Sequence, residues 1–325
     1  MNQWLRDLYS SRLRGKTGQF GQQSGFRDFF PRILEGEEIG LDSEQKMYYE
    51  PWAMLLVKIL VSIFMVVTLS LIAEFVSPRV AGILSGYPLG AAITLFFIGV
   101  EMGPGFASES ALYTMNGLIG IQGFIYCYYL ASSRIHARGK WCSMTVASLA
   151  GMVGYLLIIF MLQRLKTTLV LSLMLPPVSF ILFRLLFRKI GNVGIQNRVH
   201  LNVILLFGRA LFAAAVILFI TWAARLVGPA WAGLFSAFPI TLFPVMLIVH
   251  FSYRLEHVHT LIKNVPNGLV SLYLYALIVH LTYGPFGICL GTITAYLTAT
   301  LYLIMTQMDL HPSRIYRRSR EKNRG

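Results

Sequence analysis

Apolar residues fill most of this chain in runs of about 20, separated by short polar or charged segments. A helical run of that length crosses the hydrocarbon core of a bilayer, because each residue adds about 1.5 Å along the helix axis. The pattern predicts an all-α, polytopic integral membrane protein with about nine transmembrane helices. The predicted spans cover residues 52–75, 80–101, 107–131, 142–163, 167–187, 203–227, 230–251, 258–282 and 286–307.

One part of this pattern occurs twice. The stretch AEFVSPRVAGILSGYP, from Ala73 to Pro88, returns 151 residues later as ARLVGPAWAGLFSAFP, from Ala224 to Pro239. The same offset pairs Asn116-Gly117-Leu118 with Asn267-Gly268-Leu269. A register shared without a gap over this distance predicts a duplicated module, which is a common way of building transporters.

The duplication predicts two four-helix repeats joined by a linker helix. They would occupy residues 52–163 and 202–308, with the linker helix and a loop at 164–201, a polar tail at 1–51 and a basic tail at 309–325. Because the offset contains five predicted crossings, equivalent helices run in opposite directions, and an inverted repeat is favoured. An alternative stays open. If the fifth segment, interrupted by Pro176-Pro177, only dips into the membrane, eight crossings remain and the repeats are parallel.

Composition and charge agree with a membrane protein. The chain is 56% hydrophobic and 13% charged, with a mean hydropathy of +0.62, whereas soluble domains carry about 25% charged residues. The net charge of +14 does not indicate nucleic acid, because Lys and Arg lie mainly in the tails and in short loops. Cations in such loops favour anionic lipid headgroups and the cytoplasmic side. We therefore expect anionic lipids as partners, no nucleic acid, and a cytoplasmic C-terminus.

A polar site is expected near the middle of the bilayer. Pro88 and Pro239 lie near the middle of the second and seventh spans, where proline lacks a backbone N–H and kinks or opens the helix. A serine precedes each proline by three positions, and an asparagine lies at similar depth in each following span. The expected lining residues of a midplane site between the repeats are Ser85, Pro88, Asn116, Ser236, Pro239 and Asn267. The alternative is that these small and amide residues only join helices.

Each repeat also carries a cation a few residues inside its first span, Lys58 in one and Arg209 in the other. A cation at the centre of a membrane helix costs about 2.5–3.5 kcal/mol on insertion scales. Snorkelling toward the headgroups is the alternative that relieves this cost. The predicted topology brings Glu101 to the depth of Lys58, and His250 and Glu256 close to Arg209. We expect these residues to form gating ion pairs, and the two cations to bind an anionic substrate.

Patterns typical of enzymes are not found in the sequence. It contains no HExxH, no GxSxG, no phosphate-binding glycine loop and no paired carboxylates on a shared helix face. Cys127, Cys142 and Cys289 have no spacing that suits a metal or a disulfide framework. We predict no catalytic residue, no cofactor and no bound metal. A membrane-bound transferase acting on a lipid-linked substrate is a minor alternative.

The stretch from Ala232 to His250, AGLFSAFPITLFPVMLIVH, resembles the second span of the small, four-span GlpM-type membrane proteins. Residues Ala81 to Pro88 match the same core, although Tyr87 replaces Phe and Gly99 stands in place of the histidine. The resemblance implies that each half of the chain corresponds to one such protein. The association of that family with exopolysaccharide (alginate) production implies a role in cell-envelope glycan or lipid traffic at a bacterial inner membrane.

These patterns together predict a secondary transporter or flippase-like permease for an anionic small solute or a lipid or glycan headgroup. The alternative is a non-transporting integral membrane subunit of a cell-envelope glycan or lipid assembly, in which the repeats serve as a packing scaffold. A membrane-protein partner or a homo-oligomer is compatible with either hypothesis.

Overall fold

The computed structural model describes residues 55–61, 63–64, 83–135, 139–165, 167–193 and 203–310, except for the side chains of 203–206, 209, 210 and 307–310. These residues form helices and no strand, which confirms the predicted all-α class. The helices are α1 (Leu89–Met102), α2 (Pro104–Ile135), α3 (Lys140–Gln163), α4 (Leu169–Leu186), α5 (Val203–Ser236), α6 (Leu242–Ser252) and α7 (Leu255–Leu310). Residues 55–61 and 63–64 are also helical, and Phe187–Lys189 form a 3-10 turn. The predicted N-terminal tail, the predicted C-terminal tail after Leu310 and most of the first predicted span lie outside the described residues.

Four of the described helices are long and apolar enough to cross a bilayer by length and composition. They are Lys140–Gln163, Leu169–Lys189, Leu211–Ser236 and Leu255–Thr306. Their outer faces expose large apolar side chains, such as Phe160 at 49% and Leu297 at 65%. Such a surface suits a hydrocarbon surrounding, while hydroxyl and amide groups are buried between the helices. The fold is therefore that of an integral membrane protein.

The central helix of the bundle, α2, is not among those four apolar helices. It packs against α3, α5 and α7, and also against α1 and α4. Its buried residues include Ser110, Thr114, Asn116, Gln122 and Ser132. A helix surrounded by other helices can carry such groups, because neighbouring side chains and backbone satisfy them. The predicted span at 107–131 is thus a helix whose polar interior lowers its hydropathy.

α2 and the part of α7 before Gly287 run antiparallel. At one end of the pair Ser108 Oγ lies 3.1 Å from His280 Nδ1. At the other end Ser132 Oγ lies 3.1 Å from His259 Nε2. We name these two ends of the bundle the His280 end and the His259 end. α1 ends and α2 begins at the His280 end, whereas α2 ends and α7 begins at the His259 end.

The two predicted spans that contain Pro88 and Pro239 are opened, as these prolines predict. In the first of them the helix at 83–84 stops, a turn covers 85–88, and α1 begins at Leu89 with Pro88 as its N-cap. In the second, α5 ends at Ser236, residues 237–241 are not helical, and α6 begins at Leu242. We name these two segments the first break (85–88) and the second break (237–241).

Two further junctions depend on glycine at positive φ. Gly228 (φ 78°, ψ 175°) divides α5, and Gly287 (φ 77°, ψ 173°) divides α7. This backbone conformation is accessible essentially only to glycine. Gly228 lies between the predicted spans 203–227 and 230–251, and Gly287 is the second residue of the predicted span 286–307.

We expect Gly287→Ala to lower the free energy of unfolding by about 1–3 kcal/mol, because alanine is strained at this φ and ψ. Gly284→Ala is the matched control, since a Cβ there would meet nothing within 4 Å. At that helical position alanine is favoured over glycine by up to about 1 kcal/mol. Unfolding of both variants in the same detergent checks this prediction. Equal stability of the two variants would contradict the strain.

Candidate functional site

The first and second breaks face each other across a small cavity inside the bundle. Ser85 and Tyr87 line it from the first break, and Pro239 and Thr241 line it from the second. Thr241 Oγ1 donates a hydrogen bond of 3.4 Å to the carbonyl of Ser85, which joins the two breaks directly. The cavity volume that the centre of a water molecule can occupy is about 20 Å³. This is enough for about one bound water.

Side-chain hydroxyls bond backbone carbonyls that the breaks leave without a helical donor. Ser271 Oγ donates to the carbonyl of Gly86 over 3.1 Å. Tyr155 Oη donates to the carbonyl of Leu234 over 2.7 Å. In each bond one partner lies before residue 164 and the other after residue 202. The two halves of the chain therefore satisfy each other's opened helices, as buried backbone groups in a membrane require.

We expect Tyr155→Phe to lower the free energy of unfolding by about 1–3 kcal/mol, because the buried carbonyl of Leu234 loses its donor. Tyr302→Phe is the matched control. Tyr302 Oη donates to the carbonyl of Asn267 over 3.1 Å, but Asn267 lies inside α7, where the helix itself supplies a donor. Denaturant titration of the two variants checks the prediction. An equal loss of unfolding free energy in both variants would refute it.

A second polar cluster lies at the His280 end and centres on Glu101. Lys58 Nζ contacts Oε1 of Glu101, and these two side chains are 8% and 7% exposed. Arg225 Nη2 lies 3.2 Å from Oε2 of Glu101, but Arg225 is 59% exposed. Lys58 also donates to Thr221 Oγ1 over 2.9 Å and lies 5.6 Å from the ring centre of Phe97. Because Glu101 neutralises Lys58, the charge of Lys58 is not open to a substrate anion in this conformation.

The expected partners of Arg209 make other contacts. His250 Nδ1 lies 2.7 Å from the hydroxyl of Tyr128, and both side chains are buried. Glu256 pairs with Arg254 over 3.4 Å, and these two side chains are 54% and 83% exposed. The side chain of Arg209 lies outside the described part of the chain, so its pairing stays a prediction.

The two asparagines expected at the midplane site do not line the cavity. Asn116 is buried, and its Nδ2 donates to Ser172 Oγ over 3.1 Å and to Thr167 Oγ1 over 3.4 Å. Asn267 is half-buried, and its carbonyl accepts the bond from Tyr302. Sequence spacing gives the depth of an asparagine but not the direction in which its side chain points.

Of the six expected lining residues, Ser85 and Pro239 do line the cavity. Pro88 is buried at the start of α1, and Ser236 donates to a carbonyl of its own helix over 2.7 Å. Thr241 is a lining residue that the sequence prediction missed. Its position two residues after Pro239, where the helix restarts, was the available signal, because the side chains of residues at a helix start often bond nearby carbonyls and amides.

No three His, Cys, Asp or Glu side chains of the described residues are grouped so that they could hold a metal ion. Comparison of the chain with protein-family models, with curated proteins and with solved structures finds no match. The correspondence of each half to the GlpM-type proteins, and the link to exopolysaccharide production, accordingly stay predictions.

Proposed function

We propose that this protein is a non-enzymatic permease of a bacterial inner membrane. It would act as a secondary transporter or flippase for an anionic small solute or a lipid or glycan headgroup. The observation that supports this most is the meeting of two broken helices at a cavity inside the bundle. Opened backbone occurs at membrane depth where protein or a cavity satisfies it, and transporters bind their substrates at such places.

Reciprocal contacts support the duplication on which the proposal depends. A Cβ built on Gly117 would lie 3.4 Å from the Cα of Leu234, and one built on Gly268 would lie 3.0 Å from the Cα of Ile83. With the offset of 151, Gly117 is equivalent to Gly268, and Ile83 is equivalent to Leu234. The two contacts are therefore one contact made in both directions, as an approximate two-fold relation between repeats requires.

Antiparallel packing of α2 and the first part of α7 supports the inverted topology. Ser108 contacts His280, and the ring of Tyr129 lies 4.7 Å from that of His259. With the same offset, Ser108 is equivalent to His259, and Tyr129 is equivalent to His280. Equivalent helices that run antiparallel favour inverted repeats and a full crossing by α4, and so nine spans over the eight-crossing alternative.

The distribution of cations supports a cytoplasmic His259 end. Its described cations are Arg134, Lys140, Arg184, Arg188, Lys189, Arg254 and Lys263. α7 returns toward this end after Gly287, so the C-terminus would lie on the same side. An excess of Lys and Arg is typical of cytoplasmic loops, where anionic lipids are their partners.

The cluster around Glu101 supports a gate and an anionic substrate. Two cations and one carboxylate leave this cluster with a net positive charge. The cluster joins the helix at 55–64 with α1 and α5, so these elements can separate only if an ion pair breaks. We include Lys58, Glu101 and Arg225 in this gate. A second gate at Arg209, His250 and Glu256 stays a prediction.

The size of the cavity bears on both candidate functions. Room for about one water excludes a solute or headgroup, so a permease would be closed in this conformation. The same small cavity is the observation that favours the second candidate, a non-transporting subunit whose repeats pack as a scaffold for a membrane-protein partner.

Thiol labelling at the cavity tests the permease. With the three native cysteines replaced by serine, we expect Ala91→Cys and Ala237→Cys to react with a membrane-impermeant maleimide added to either side of reconstituted vesicles. These two residues line the cavity, and a permease has to open it alternately to both sides. Ala147→Cys, fully buried on α3, is the control and should not react. A failure of both cavity positions to react from either side would favour the scaffold.

A further inference from the structure

Two buried amide side chains of α2 bond two buried serines of α4, in what we name the α2–α4 seam. Asn116 Nδ2 donates to Ser172 Oγ over 3.1 Å, and Gln122 Nε2 donates to Ser179 Oγ over 2.6 Å. All four side chains are more than nine-tenths buried. The seam lies apart from the cavity between the breaks, whose lining includes none of these four residues.

The serines fix the orientation of both amides. Ser172 Oγ donates its single proton to the carbonyl of Leu112 over 3.3 Å. Ser179 Oγ donates its proton to the carbonyl of Pro176 over 2.6 Å. A hydroxyl that gives its proton to a carbonyl can only accept from the amide, and in this structure the amide nitrogens face the serines. The side-chain oxygens of both amides then receive no hydrogen bond from the serines.

These two oxygens lack a donor. Asn116 Oδ1 and Gln122 Oε1 are buried, and neither accepts a hydrogen bond from any residue in the part of the chain that the structure describes. A buried acceptor without a donor is rare, and it is more costly inside a membrane than in a soluble protein. Two such acceptors along one helix pair indicate a bound donor that is not part of the chain.

The prolines of α4 add further acceptors to the seam. Pro176 and Pro177 have no N–H, so the carbonyls of Ser172 and Leu173 lose their usual helical donors. The hydroxyl of Tyr273 donates to the carbonyl of Leu173 over 3.2 Å. The seam as a whole therefore contains more acceptors than donors.

Water is the ligand that this chemistry fits. A cation would need a countercharge, and the seam contains no Asp or Glu, whereas water brings two donors and no charge. Ser172 and Ser179 are seven residues apart, which places the two amide oxygens about 10 Å apart along the helix. We propose that the α2–α4 seam binds a short row of water molecules, from Thr167 at the His280 end to Gln122 near the middle of the bilayer.

Radiolytic hydroxyl-radical labelling of the intact protein in nanodiscs tests the proposal, because radicals formed from bound water oxidise the side chains beside it. The reporter is Tyr273, and the reference is the fully buried Tyr155, whose hydroxyl is bonded to Leu234. We expect Tyr273 to be oxidised several-fold faster than Tyr155. Equal rates in the unmodified protein would overturn the proposal, and this comparison needs no variant to fold.

Variants of the seam locate the water. We expect Asn116→Leu and Gln122→Leu to slow the oxidation of Tyr273. Ser148→Ala, which removes a hydroxyl bonded to its own helix on α3, should leave the rate unchanged. A bound cation would raise the unfolding temperature in sodium chloride but not in choline chloride, and it would do so only while Asn116 is present. That result would overturn the proposal. None of these measurements depends on transport, so the proposal can fail while the permease stands, and the reverse.

Discussion

Glu101→Gln is expected to lower the free energy of unfolding by about 3–5 kcal/mol, because it removes the carboxylate that contacts the buried ammonium of Lys58. Lys58 is 6% exposed, and the hydroxyl of Thr221 accepts its hydrogen bond without neutralising it. Lys58→Met should cost less, since the carboxylate of Glu101 keeps the guanidinium of Arg225. Titration with a denaturing detergent in mixed micelles measures these free energies.

Arg225→Gln is the matched control for this ion pair. Arg225 contacts the same carboxylate but is 59% exposed, so its loss should cost under about 1 kcal/mol. The double variant Lys58→Met/Glu101→Gln should lose less than the sum of its single variants, because both buried charges are removed together. If Glu101→Gln costs no more than Arg225→Gln, the buried pair contributes nothing to stability.

The relative position of residues along neighbouring helices could be predicted from the sequence. Counting along the apolar runs places Lys58 near the start of one span and Glu101 at the end of the next, on the same side of the bilayer. The structure brings these two side chains into contact. Counting also places Pro88 and Pro239 inside spans, where the structure has its two breaks. Such predictions work because helix rise is nearly constant.

The direction of a side chain around its helix could not be predicted in the same way. Each residue turns a helix by about 100°, and the face that meets a neighbour is set by packing of the whole bundle. Asn116 therefore lies on the expected helix but contacts α4 instead of the central cavity. The same limit hides the bond from Tyr155 to Leu234, because it requires α3 and α5 to be placed together.

The buried amides of α2 show a second limit. Gln122 lies in an ordinary helical pattern, and nothing in its neighbours along the chain predicts that it bonds Ser179. The prolines of α4 were a signal that some backbone carbonyls of this helix lack helical donors and can accept hydrogen bonds from a neighbouring helix. Because proline affects carbonyls four residues earlier, that signal indicates Ser172 and Leu173 but not the helix that faces them.

The closest approaches between the two halves involve backbone, and this makes glycine indispensable there. A Cβ on Gly233 would lie 2.0 Å from the carbonyl oxygen of Ser110, and one on Gly268 would lie 2.1 Å from that of Ile83. A side chain can rotate away from a new methyl group, but a carbonyl within a helix cannot. The helices themselves have to separate, which opens voids along the whole contact.

Gly233→Ala and Gly268→Ala are therefore each expected to lower the free energy of unfolding by about 3 kcal/mol, the upper range for overpacked cores. Gly208→Ala in α5 and Gly284→Ala in α7 are the controls, because a Cβ at either position would meet nothing within 4 Å. Detergent titration of the four variants checks the prediction. If both central glycines accept alanine, the close contact between the halves does not exist in the protein. If only one accepts it, the close contact at that glycine alone does not exist in the protein.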